Sequence, residues 1–192
     1  MAQQTIGIGT SANDGTGDAL RTAFTKVNEN FTEVYTSLNP SVIALSATDG
    51  STVTGTLTET LSRSLLIPAN TFSSNGILEA FTSVVKTGVA GNLVMRIYKN
   101  TSNTLTGATL IGTLANSGFL FGQGIRTFRI NSNTITYFVA SQALISDYTS
   151  SGFAMGSTTF TTNVDNYIIF SLQLTYAGDS AKTTMARLTK SI

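Results

Sequence analysis

Leu20, Phe24, Val27, Phe31, Val34 and Leu38 recur at spacings of 4, 3, 4, 3 and 4 residues. That alternation belongs to a heptad seam rather than to the broad apolar stripe of a helix laid on a core. Ala23 and Tyr35 widen the seam, and Thr25, Lys26, Glu29, Asn30, Thr32, Glu33 and Thr36 cover the other side. Asp18 is placed as an N-cap, ready to accept from the amides of the first turn. Asn39-Pro40 stops the helix, because the residue before proline is pushed out of the α region. The pattern therefore predicts a helix over 19–38. Its length of roughly 30 Å is marginal in water unless the apolar face finds a partner. Two partners fit that face: the rest of its own chain, or other copies of the helix in a short parallel bundle.

From residue 41 the period changes from the helical repeat to two. Leu93, Met95 and Ile97 alternate with Val94, Arg96 and Tyr98, and Ile168, Phe170, Leu172 and Leu174 share one face of a segment. Short β-branched and aromatic runs separated by Gly, Asn and Ser give about nine candidate strands. They end at Leu65-Leu66-Ile67, before Pro68-Ala69-Asn70, or cover 77–86, 93–99, 108–114, 125–130, 134–140, 158–162, 167–176 and 183–189. Ala177-Gly178-Asp179-Ser180 reads as the turn of a terminal antiparallel hairpin, and residues 141–157 read as exposed loop. The expected fold is mainly β. Residues 1–40 form an extended arm and one short helix, and residues 41–192 form an antiparallel β-sandwich.

The arm itself is glycine-rich: Thr5-Ile6-Gly7-Ile8-Gly9-Thr10 runs through Ala12-Asn13-Asp14-Gly15-Thr16-Gly17 into the helix. Glycines 7, 9, 15 and 17 would let the backbone lie close against another protein. Ile6 and Ile8 would then insert between its surface residues or add as a strand edge. A flexible leader is the plainer reading of the same composition.

Composition narrows the chemistry. The 192 residues are 41% hydrophobic, enough for a core, yet only 11% are charged, and the net charge is +1. That is well under the roughly 25% charged residues of an ordinary soluble domain. The surface is thus neutral and rich in Ser, Thr and Asn, without the electrostatic footprint of a nucleic-acid or anionic-membrane binder, since Arg96/Lys99 and Arg126/Arg129 are isolated pairs. The absence of Cys and His removes thiolate nucleophiles, imidazole bases and the usual zinc ligands together. No apolar run approaches the ~18 residues of a membrane span, and residues 1–4 lack the features of a secretion signal. The expectation is a soluble, non-enzymatic protein with no cofactor, made in a cytoplasm.

Three chemical motifs are discounted on spacing. Asn13, Asp14 and Asp18 lack the further ligands and closing Glu of a calcium loop, so no metal is expected. Gly7-Ile8-Gly9 lacks the third glycine and preceding strand of a dinucleotide fingerprint. Asp49, Glu59, Glu79, Asp147, Asp165 and Asp179 include no local pair that would mark a glycosidase.

Residues Ile6 to Asp18, followed by Leu20-Arg21, Ala23-Phe24, Lys26-Val27-Asn28, Asn30-Phe31 and Glu33-Val34-Tyr35, resemble a segment near the N-termini of tailed-bacteriophage virion structural proteins, fibres and decoration proteins among them. It covers about a fifth of the chain. The body is more loosely similar to β-sandwich domains of phage appendages, through the strand ending in Ile67-Pro68-Ala69-Asn70 and the strand over 167–176. The resemblance implies a homotrimer on the virion surface. Three arms (Ile6, Gly7, Ile8, Gly9, Thr10, Asn13, Asp14, Gly15, Gly17) anchor to capsid or tail proteins, the seams of Leu20, Phe24, Val27, Phe31, Val34 and Leu38 gather near the axis, and jelly-roll-like bodies project. It implies a structural projection, a capsid decoration or head fibre. The alternative is a short tail fibre for host attachment whose loops near Phe119-Leu120-Phe121, Asp147-Tyr148 and Phe153 contact surface glycans. The short chain, the lack of a long shaft and the absence of Trp for sugar stacking favour the first. Phe119/Phe121 themselves read as core positions rather than as a ligand site.

Overall fold

The computed structural model describes residues 4–11, 14–37, 42–88, 91–116, 120–137 and 156–191. It divides into two compact units, Met1–Ser41 and Val42–Ile192. The first holds the arm and a helix α1, Leu20–Ser37, close to the span its heptad spacing predicts. Leu38 and Asn39-Pro40 lie outside the described residues.

The second unit is built of strands β1 (Val42–Ser46), β2 (Val53–Thr54), β3 (Thr60–Ile67), β4 (Asn75–Thr87), β5 (Leu93–Asn100), β6 (Thr109–Asn116), β7 (Phe121–Asn131), β8 (Thr134–Tyr137), β9 (Gly156–Thr159), β10 (Asn166–Leu174) and β11 (Ser180–Ser191). Sheet I has the order β1-β11-β4-β7-β8-β9, with β2 beside β11, and sheet II has the order β3-β10-β5-β6. Ladders β5·β6, β4·β7, β3·β10 and β1·β11 are nested one inside the next, all antiparallel. They are the rungs of one long hairpin, and the β11·β4 and β10·β5 ladders roll it into two facing sheets. This winding is a jelly roll, with β8 and β9 as an extension of one edge.

The rolled winding overturns one expectation. β10 and β11 do not form a terminal hairpin: β10 pairs with β3 and β5 in sheet II, and β11 pairs with β1, β2 and β4 in sheet I. The turn over 177–180 therefore crosses from one sheet to the other. Both segments carry an apolar face because they look at each other across the core, and an alternating pattern alone does not distinguish that from pairing side by side.

The core lies between the sheets. β4 alternates strictly, sending Leu78, Ala80 and Val84 inward, and they meet Met95, Ile97, Phe128, Ile130, Phe170, Leu172 and Leu188 from four other strands. Phe72 and Phe160, from two connections, pack edge to face with ring centroids 6.1 Å apart. One ion pair is sealed inside. Lys86 Nζ lies 2.6 Å from Asp179 Oδ2, with both side chains almost fully buried. The Lys86 ammonium also donates to Gly88 C=O, and Asp179 accepts from Gly91 N–H. The pair thereby ties the end of β4 to the turn before β11.

Candidate assembly arm and helix seam

The arm is not an extended leader. Gly7 N–H donates to Asp18 Oδ2, and Asp18 N–H donates back to Gly7 C=O, each at 2.8 Å. This two-bond clasp closes a loop over 7–18. Inside the loop Asp14 Oδ2 accepts from Thr10 N–H (2.6 Å), Thr10 Oγ1 (2.7 Å) and Ser11 N–H (2.8 Å), while its Oδ1 accepts from Thr16 N–H at 2.9 Å. The Thr16 amide first, then the Thr10 hydroxyl and the Ser11 amide, hold the Asp14 carboxyl far below the usual carboxylate range. Gly9 has φ 79°, and a Cβ there would sit 2.5 Å from Asp14 Oδ1. A Cβ on Gly17 would lie 3.0 Å from Gly7 O. Both glycines thus have an internal reason: the loop closes on itself through them. Ile8, by contrast, is 89% exposed at this loop.

The arm then lies along one flank of α1. Lys26 Nζ donates to Thr5 C=O at 3.1 Å and to Asp18 Oδ2 at 2.7 Å. Gln4 and Asn30 exchange two bonds of 2.9 Å, and the Gln4 amide nitrogen also donates to Glu29. Lys26, Glu29 and Asn30 share a flank because residues three and four apart are neighbours on a helix. Asp18 consequently does not cap the first turn, as its position before the helix predicts. Its carboxylate is taken by Lys26 and Gly7, which together lower its pKa, Lys26 contributing most. A cation eight residues ahead outcompetes the amides of its own helix.

With the polar flank occupied by the arm, the seam stays open. Leu20, Phe24, Phe31 and Val34 are 74%, 59%, 56% and 48% exposed, and Val27 is half-buried. Four large apolar side chains in heptad register thus leave about half or more of their surface exposed. What periodicity did not reveal is the role of Lys26 and Asn30 as docking residues for the arm. Their bonds span 21 and 26 residues of sequence. The only hint is that both are long polar side chains on the flank beside the seam.

Asn13, Asp147, Tyr148, Phe153 and Phe119 lie outside the described residues, so the glycan-contact loops have no described geometry. Phe121 corrects the expectation of a core position. It opens β7 on the outer face of sheet I and is 77% exposed. The basic pairs split as alternation requires: Arg126 faces inward, with its guanidinium 5.9 Å from the Tyr137 ring, and Arg129 faces outward.

The sandwich carboxylates hold structure together. Asp49 pairs with Lys182 at 2.5 Å, Glu79 with Arg187 at 3.6 Å, and Asp165 accepts from Ala69 N–H at 2.9 Å. Glu59 reaches over the outer face of sheet II to Arg96, 3.1 Å away, and accepts from Ser171 Oγ. Burial, with Glu59 close by, pushes the Tyr98 phenol up to about 12. Among the described residues no group of three or more Asp and Glu is arranged to hold a metal ion, and no helix is long and apolar enough to cross a membrane. Neither a family model nor a curated protein sequence matches the chain.

Proposed function

We propose that this protein is a non-catalytic structural component of a tailed-phage virion, a trimeric surface projection of the capsid-decoration or head-fibre kind. It is made in the host cytoplasm and held on the particle by its N-terminal arm. The observation that supports this most is the division of labour on α1. The arm occupies the polar flank through Lys26, Glu29 and Asn30, while Leu20, Phe24, Phe31 and Val34, in heptad register, keep about half or more of their surface exposed. A seam of that kind is completed by like seams. Three copies joined through it present three arms at once, and linked weak contacts multiply into lasting attachment. The closed loop with Ile8 at its surface is a rigid apolar anchor, which loses less entropy on binding than a free tail does.

Two experiments test this. Labelling intact particles with a specific antibody fragment places the protein: label over the head lattice fits a decoration, and label confined to the tail tip makes host attachment the function. Deleting residues 1–17 should abolish incorporation into particles while the purified chain keeps its oligomeric mass. Normal incorporation of the deletion variant would remove the arm from the mechanism.

A further inference from the structure

The two outer faces of the sandwich differ. On sheet II the outward-pointing Ile169 is completely buried and Glu59 lies across Ser171, Arg96 and Tyr98, so the middle of this face is covered by its own chain, while Leu66 and Leu110 on its edge strands are 37% and 43% exposed. On sheet I the ladder register sets Leu45, Arg187, Phe81 and Ile125 in one row across β1, β11, β4 and β7. Val85 and Phe121 stand side by side nearer the other end of β4. Leu45, Phe121, Ile125 and Ile77 are 60%, 77%, 37% and 49% exposed. An apolar sheet face of this extent is an interaction surface.

We infer that the outer face of sheet I packs against other copies of this same chain. Covalent reach is the first argument. Sheet I begins with β1, and only five peptide links separate Ser37 of α1 from Val42, a reach of at most about 18 Å. Whatever gathers the helices gathers the β1 edges, so this face meets its counterparts at high effective concentration. The inference therefore rests on the reading of α1 as the oligomer seam.

Charge is the second argument. Arg187 is compensated by Glu79 and stacks over Phe81 at 5.7 Å, and Lys182 is compensated by Asp49. A chain of net charge +1 with these pairs offers little repulsion to its own copies.

The chain contains no cysteine, so one introduced thiol reports one position. Gln123→Cys places it outward on β7 between Phe121 and Ile125, and Leu110→Cys places a control on the outer face of sheet II. Maleimide labelling is followed in the full chain, with and without Phe24→Asp/Phe31→Asp, and sedimentation gives the mass of each. The expected result is an oligomer in which the thiol at 123 reacts about tenfold or more slowly than the control, and regains the control rate when the helix seam is broken. An oligomer whose thiol at 123 reacts as fast as the control overturns the inference and leaves the helix seam standing. A parent chain that sediments as a monomer overturns the helix seam and this inference with it. Slow labelling that persists in a seam variant sedimenting as a monomer also overturns it, because the face is then covered by its own chain; slow labelling in a seam variant that is still an oligomer supports the face as an interface and overturns the helix seam instead.

Discussion

The two units of this chain are held together by opposite means. In the sandwich the apolar side chains are inside: Phe128, Met95 and Ile97 are fully buried, and the Lys86–Asp179 ion pair is buried with them. In the arm and helix the hydrogen bonds are made within the unit and the apolar side chains are outside. The comparison teaches that the first unit satisfies its polar groups by itself but not its hydrophobic ones. On the proposed reading other copies complete that unit, whereas the sandwich already has its core.

The largest test of this contrast is Phe24→Asp with Phe31→Asp. Both side chains are more than half exposed and lie outside the sandwich core, so the substitutions leave that core intact. Sedimentation should show complete loss of the oligomer, with the sandwich's β-sheet circular dichroism intact. Unchanged mass would mean that the seam is not the interface.

Next comes Phe170→Ala, at the centre of sheet II and 1% exposed. Truncating a fully buried phenylalanine costs about 3–5 kcal/mol in a packed core. Chemical denaturation should show that loss in the sandwich. A change under about 1 kcal/mol would contradict the tight packing ascribed to this strand, since losses that small belong to surface substitutions.

Asp179→Asn should follow at about 3 kcal/mol, because breaking a buried pair leaves the Lys86 ammonium without its counter-charge. Replacing Lys86 by Met in the Asp179→Asn background should recover part of the loss. If the double variant is as unstable as the sum of the single variants, the two groups are not coupled.

The contrast also explains what was legible in the sequence. The helix stood out because six apolar residues keep one spacing over five turns, β5 because its apolar residues alternate with period two, and β10 because Ile168, Phe170, Leu172 and Leu174 share one face. β1 and β2 did not. β1 has five residues with two exposed hydrophobics at an edge, and β2 has only two residues. Pairing partners were hidden as well, because Leu172 faces inward equally well whether its neighbour in sequence pairs beside it or sits across the core. At the candidate site the seam residues were legible from spacing, but the fold of the arm was not. It depends on single side chains, Asp14, Asp18, Lys26 and Asn30, meeting groups up to 26 residues away. Phe121 was misread because a hydrophobic residue in a strand is more often core, and the face it lies on follows from register alone.

The smallest expected effect is also the most local. Both arm carboxylates are held below their ordinary value of 3.8, Asp14 mainly by the Thr16 amide and Asp18 mainly by Lys26. A carboxylate whose pKa is depressed in the folded state contributes stability that is fully present above its ordinary value, and that contribution is lost as pH falls through the depressed one. The arm should therefore stay closed on α1 from neutral pH down to about 4 and open below that. Carboxyl carbon shifts of Asp14 and Asp18, with the amide shifts of Gly7, Ser11 and Thr16, should titrate together in that acid window. Asp14→Ala should release the Ser11 and Thr16 amides already at neutral pH without altering the oligomeric mass, since the bonds lost lie within the arm. Midpoints at or above the ordinary carboxylate value would show that the arm is not held by these bonds, and the rigid-anchor argument would then give way to a flexible tether.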